Sequence, residues 1–141
     1  MMESPSMIFL LIGVLLVAVV GVMYLMIGAK SGTKLSVERY QSKWLAIENG
    51  LERNNPASWQ LAVLNADKLL DQALRERRFK GATMGERMKS AQKTWKHPNH
   101  VWTAHKIRNQ LAHETDAKVS YEIASRSLAA FKQGLKDLGA I

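Results

Sequence analysis

Cysteine is absent from this chain, which excludes disulfides, thiolate metal sites and thiol nucleophiles. Its absence agrees with a reducing compartment. Strand patterns are missing too: nothing after residue 30 alternates apolar with polar positions or strings β-branched residues together, so a sheet is excluded there. No glycine-rich loop is built to cradle phosphates, and no Ser-His-Asp arrangement is present. The four histidines, His97, His100, His105 and His113, have spacings that do not make the HExxH pattern of a zinc helix; neither a metal site nor a cofactor is expected. Acid is the scarcer charge, with 12 Asp and Glu against 20 Lys and Arg and a net charge of +8. A basic chain meets anionic partners, either nucleic acid or a phospholipid surface, and charge alone does not choose between them.

The first thing present in quantity is apolar. Met7 to Gly28 runs 22 residues without a charged side chain, about 33 Å as a helix and enough to cross a bilayer. Fourteen of these residues are Leu, Ile, Val or Phe, favouring insertion by about 4 to 8 kcal/mol. The competing reading is a cleaved signal peptide, which needs a positive amino-terminal region. This chain instead begins Met1-Met2-Glu3-Ser4-Pro5-Ser6, with Glu3 its one charged side chain. The expectation is a tail over 1–6, a transmembrane anchor over 7–28 and a linker over 29–36. Lys30, Lys34, Arg39 and Lys43 follow the anchor and no Lys or Arg precedes it. The positive-inside rule therefore predicts an inner-membrane protein, amino terminus outside and the domain 37–141 cytoplasmic.

That domain reads as all-α, an antiparallel bundle of four to five helices. A first helix is expected over Leu35 to Leu51. Asn54-Asn55-Pro56 breaks the chain, with Asn55 placed to cap and Pro56 at the first helical position. The next helix, Pro56 to Phe79, carries Trp59, Ala62, Val63, Ala66, Leu69, Leu70, Ala73 and Leu74 at three- and four-residue steps. Asp67, Lys68, Asp71, Gln72 and Arg75 are expected to face away. Gly81 closes it. Thr83 and Glu86 fit a capping box for a short helix reaching Trp95. His97-Pro98-Asn99 breaks the chain again before a helix over His100 to His113. A last helix is predicted to start after Ser120 and end near Leu138, with Ala124, Leu128, Phe131, Leu135 and Leu138 forming its seam.

Chemistry concentrates between His105 and Glu114. At 100° per residue, Ala104, Ile107 and Leu111 fall on one face, while Trp102, His105, Arg108, Asn109, Ala112 and His113 share another arc. Imidazole takes and returns protons near neutrality. A guanidinium fork grips phosphate oxygens in pairs. Together they suffice to cleave RNA through its own 2′-hydroxyl, with His113 moving the proton, Arg108 holding the phosphate and Asn109, one turn earlier, orienting His113. Ala112, the smallest side chain in the arc, leaves room for a phosphate or for the same helix of a second copy. The competing structural reading pairs Arg108 with Asp67, Asp71 or Glu114 and seats His105 beside Trp102 in the core.

Arg108-Asn109-Gln110-Leu111-Ala112-His113 resembles the Arg-x4-6-His motif of the HEPN superfamily, helical bundles that include many metal-independent ribonucleases. A polar residue directly after the arginine is common there and is matched by Asn109. The resemblance implies catalytic roles for Arg108, Asn109 and His113, and a dimer whose two motifs line one cleft. The wider pattern, Trp102, His105, Arg108, Asn109, Ala112, His113 and Glu114 after a helix containing Asp67, is similar to a group of membrane-anchored bacterial proteins; within it His105 and Glu114 are supporting candidates. Family members that bind without cleaving keep open the alternative of a membrane-tethered adaptor.

The run Arg75 to Lys96 holds eight basic and two acidic residues. Arg75, Arg77, Arg78, Lys80, Lys89 and Lys93 are its candidate RNA contacts, with Phe79 and Trp95 available for stacking. The alternative is a solvated face.

Overall fold

The computed structural model describes residues 5–28 and 33–141, and all its regular structure among them is helical. The chain divides into two compact units, 1–32 and 33–141.

In the first unit, helix α1 spans Pro5–Gly28. By length and composition it is able to cross a membrane, and its side chains from Pro5 to Met26 are uncovered. The expected tail falls partly, at 1–4, outside the described residues. So does the expected linker at 29–32, including Lys30; its remainder, 33–36, is not helical.

The second unit contains α2 (Val37–Asn49), α3 (Pro56–Glu76), α4 (Met84–Ser90), α5 (Pro98–His113) and α6 (Tyr121–Asp137). Helix α3 is central and packs against each of the other four. Its apolar stripe, Val63, Ala66, Leu70, Ala73 and Leu74, is buried against Phe131 and Leu135 of α6 and Val101 and Ala104 of α5 in one core. Full burial of each large apolar side chain contributes about 1.5–3 kcal/mol. Gly134 sits where α6 packs closely on α3: a Cβ there would lie 3.3 Å from the Leu70 Cδ1 atom, and that side chain would have to shift by a few tenths of an ångström. Helices α5 and α6 run in opposite directions, since the Lys96 N–H, just before α5, donates to Asp137 at the end of α6 at 2.9 Å.

Helix ends follow local chemistry. Pro56 and Pro98 each occupy the first turn of a helix, so α5 begins two residues before the expected His100. Asn55 holds the cap position of α3 without a capping side-chain bond. Instead Ser58 donates to the Asn55 carbonyl at 2.7 Å, and the Trp59 indole donates to Glu52 O at 2.7 Å. The capping box of α4 is present, with Glu86 N–H donating to Thr83 Oγ1 at 3.2 Å and Thr83 N–H to the Glu86 carboxylate at 3.4 Å. That helix stops at Ser90, short of Trp95. Helix α3 ends at Glu76, not Phe79, because Arg78 turns left-handed at φ 60° and Phe79 N–H returns to Leu74 O at 3.1 Å. Ser120 caps α6 by accepting from Ile123 N–H at 3.2 Å.

One expectation about α3 is overturned. Asp67, placed on the solvent side by its charge, is 2% exposed. It stands four residues after Val63 and three before Leu70, in register with the buried stripe.

Candidate functional site

Helix α5 buries Val101, Ala104 and His105. Its covered face thus extends past the purely apolar positions to include His105, and the reason lies on α3. His105 Nδ1 is 2.7 Å from Asp67 Oδ1. A carboxylate only accepts, so Nδ1 donates in this contact. Asn109, one turn later on α5, places its amide nitrogen 3.3 Å from His105 Nε2. The Asn109 carbonyl oxygen accepts from Arg108 Nη1 at 3.0 Å. Arg108 Nε completes the circuit 3.1 Å from Asp67 Oδ2; this N–H is not aligned for a hydrogen bond, and the contact is an ion pair.

Asp67, His105, Asn109 and Arg108 therefore form a closed ring joining α3 to α5. Taking a carboxylate out of water is costly, and here one cation and one imidazole N–H face its two oxygens. The ring takes up both nitrogens of His105 and both polar ends of the Asn109 amide. Trp102 stands edge-on to His105, ring centres 6.2 Å apart, so the structural reading of His105 beside Trp102 and of Arg108 on Asp67 describes the contacts found.

Two expected relationships are not formed. Asn109 bonds to His105 and Arg108, not to His113. Glu114 is exposed, just past the end of α5 in extended conformation, and pairs with neither Arg108 nor His113. His113 is the last residue of α5, exposed, and its side chain makes no hydrogen bond or ion pair among the described residues. Arg108 remains partly open, its side chain 34% exposed. The five-residue step from Arg108 to His113 is about 7.5 Å along the helix and 140° around it. Beside the ring, Trp102, Thr103, His105, Lys106 and Asn109 line an open hollow of about 380 Å³.

The basic run resolves into two kinds of residue. Arg87 is buried, its guanidinium 2.8 Å from Asp71 and donating to Gly81 O at 2.8 Å. Arg75 pairs with the same Asp71 at 2.9 Å while staying exposed. Arg77 is half-buried, its Nε covered and without a hydrogen bond. Arg78, Lys80, Lys89 and Lys93 are exposed and make no side-chain ion pair among the described residues. Trp95 is not available for stacking: it is buried, and its indole donates to Met88 O at 2.9 Å.

Reading the sequence offered Asp67 as a partner for Arg108 but missed its burial and its contact with His105, and it missed Arg87 as a structural residue. The signal for Asp67 was its register with Val63 and Leu70. Arg87 gave none, since its partner Asp71 is 16 residues away. Comparison with protein families, curated proteins and solved structures finds no match for this chain.

Proposed function

We propose that this is a single-pass membrane protein, its amino terminus outside the inner membrane, that holds an HEPN-like antiparallel helical domain at the cytoplasmic face to bind and cleave RNA without a metal. The observation that carries the reading is the setting of Arg108. Asp67 and Asn109 grip its guanidinium from the core side and restrict its orientation, while a third of the side chain stays open. A positively charged fork held in this way is suited to stabilise charge growing on a phosphate.

His113 is the proton carrier. The ribose 2′-oxygen attacks phosphorus, the bond to the 5′-oxygen breaks, and the proton leaving the 2′-hydroxyl reaches the 5′-oxygen by way of the imidazole; DNA, lacking that hydroxyl, does not react. Because Arg108 and His113 diverge around α5, convergence on one phosphodiester is best served by a homodimer that brings one copy's arginine to the other's histidine. Arg75, Arg77, Arg78, Lys80, Lys89 and Lys93 supply backbone attraction, with the exposed ones foremost.

A second reading, a non-catalytic tethered adaptor, is favoured by one observation: the ring already engages His105 and Asn109 fully, and nothing orients His113. Incubating the full chain in detergent with mixed RNAs and EDTA separates the two. Cleavage by the wild type and its loss in His113→Ala support the nuclease; no cleavage at any protein concentration leaves the adaptor.

A further inference from the structure

A second face of α5 lies against α6 and is not part of the ring. Ala104 on α5 and Ser127, Ala129 and Ala130 on α6 are among the residues lining an open trough of about 540 Å³ between the two helices. Its walls are apolar, with Val101, Ala104 and Ile107 on one side and Ile123 and Ala130 on the other. From His97 to Ile107 it extends about 15 Å at the helical rise, the length of a medium acyl chain. Ser127 offers a ligand little, because its hydroxyl already donates to Ile123 O at 2.9 Å. Gln133 is likewise engaged, its amide donating to Asp137 Oδ1 at 2.8 Å, which leaves His97, His100 and Arg126 as the open polar groups; no carboxylate lines the trough. His97 and His100 stack with ring centres 5.4 Å apart, both exposed. An apolar bed with a fixed positive charge near its Ile107 end, and no carboxylate among its lining residues, is complementary to a ligand with one hydrocarbon tail and one anionic head.

We infer that the trough between α5 and α6 binds a single-chain anionic amphiphile, a fatty carboxylate, with its head at Arg126 and its tail running from Ile107 along Ala104 and Val101 towards His97. This site is independent of the RNA reading and stands whether or not RNA is cleaved.

The test uses the full chain in nanodiscs of zwitterionic lipid, labelled by a photoactivatable dodecanoate and mapped by peptide mass spectrometry. Adducts are expected within 97–107 and 123–133. A photoactivatable dodecanol of the same length should label there about tenfold less, a head-group contribution on the scale of one charge-assisted contact. Arg126→Glu, at an exposed position, should lower dodecanoate labelling by a similar factor. Ala130→Phe, checked for folding by circular dichroism, should abolish it by filling the trough. Adducts confined to 5–28, equal labelling by the alcohol, or labelling unchanged in Arg126→Glu would each overturn the proposal. So would crosslinks joining two copies through 97–107 and 123–133 that persist in saturating dodecanoate, since protein would then fill the trough.

Discussion

Asp67 and His105 lie 38 residues apart in sequence and meet at 2.7 Å inside the helical core, and through Arg108 and Asn109 the contact closes into a ring. The pairing gives the motif-bearing helix a fixed rotation on α3. It also makes a carboxylate, not the histidine of the motif, the group on which Arg108 depends for its orientation. Asp67→Asn leaves Arg108 and His105 facing a neutral amide. A loss of about 3–5 kcal/mol is expected, the usual cost of removing one partner of a buried pair, read as a lowered urea midpoint of the full chain in a denaturation-resistant detergent. In a double-mutant cycle, Asp67→Asn and Arg108→Gln should be non-additive by about 0.5–3 kcal/mol; strict additivity would show that the 3.1 Å contact contributes nothing.

Features set within a few residues were legible in the sequence. The Thr83–Glu86 capping box and the seam of α6 both depend on neighbours one turn away, and α6 begins and ends within a residue of expectation. The all-helical class followed from periodicity in the same way. Asp67 was misplaced because a carboxylate in an apolar stripe is by default turned to water, and only a partner on a distant helix reverses that. The end of α3 was misjudged for a related reason: Gly81 marks a turn, but Arg78 had already adopted the left-handed conformation that glycine ordinarily supplies. Within the candidate site, the residues of the motif were visible and Asp67 was one of three partners open to Arg108, but side-chain pairing across helices is written in no local pattern, so nothing chose among the three or pointed to the contact with His105.

Tyr40 of α2 gives a prediction about alkaline pH. It is fully buried, its hydroxyl has no hydrogen-bond partner, and burial first, then the negative charge of Glu76, pushes its pKa from 10.0 up to about 12. The unfolded chain releases this proton near pH 10 while the folded chain keeps it. The group's contribution to stability is therefore complete below pH 10 and is lost as pH rises from there to about 12. Tyr40→Phe should remove that part of the alkaline loss, so the gap between wild-type and variant unfolding free energies should narrow or invert from pH 10 to 12. A pH-independent gap would contradict the buried-phenol account. At neutral pH the variant should fall within about 1 kcal/mol of wild type, because no hydrogen bond is broken.

The exposed cations predict a salt dependence. Replacing Lys80, Lys89 and Lys93 together by Ser should weaken binding of the full chain to single-stranded RNA. It should also flatten the plot of log affinity against log salt by about 0.7 for each phosphate contact removed. Arg87→Met should act differently, destabilising the fold by removing the buried guanidinium that joins Asp71 to the Gly81 carbonyl, while leaving the salt slope of whatever protein remains folded unchanged. A slope unaltered by the triple lysine replacement would assign the basic run to a solvated face.

The two histidines of α5 should separate stability from activity. His105 is a structural member of the ring, and its Nε2 and Nδ1 are both engaged; His105→Ala opens a cavity beside Trp102 and strips Asp67 of a donor, with an expected cost of about 2–4 kcal/mol. His113 touches nothing that would be left unsatisfied, so His113→Ala should change stability by less than about 0.5 kcal/mol. If RNA cleavage is the function, the same His113→Ala protein should lose it by about 10²-fold or more, the usual contribution of a positioned proton carrier, at unchanged RNA affinity. The conservative His105→Gln variant keeps a donor for Asp67 and should recover part of the fold and, with it, part of the cleavage. Should His113→Ala retain full activity while His105→Gln is folded and inactive, the proton carrier would be the ring histidine facing the Trp102–Lys106 hollow, and the motif histidine would have no catalytic part.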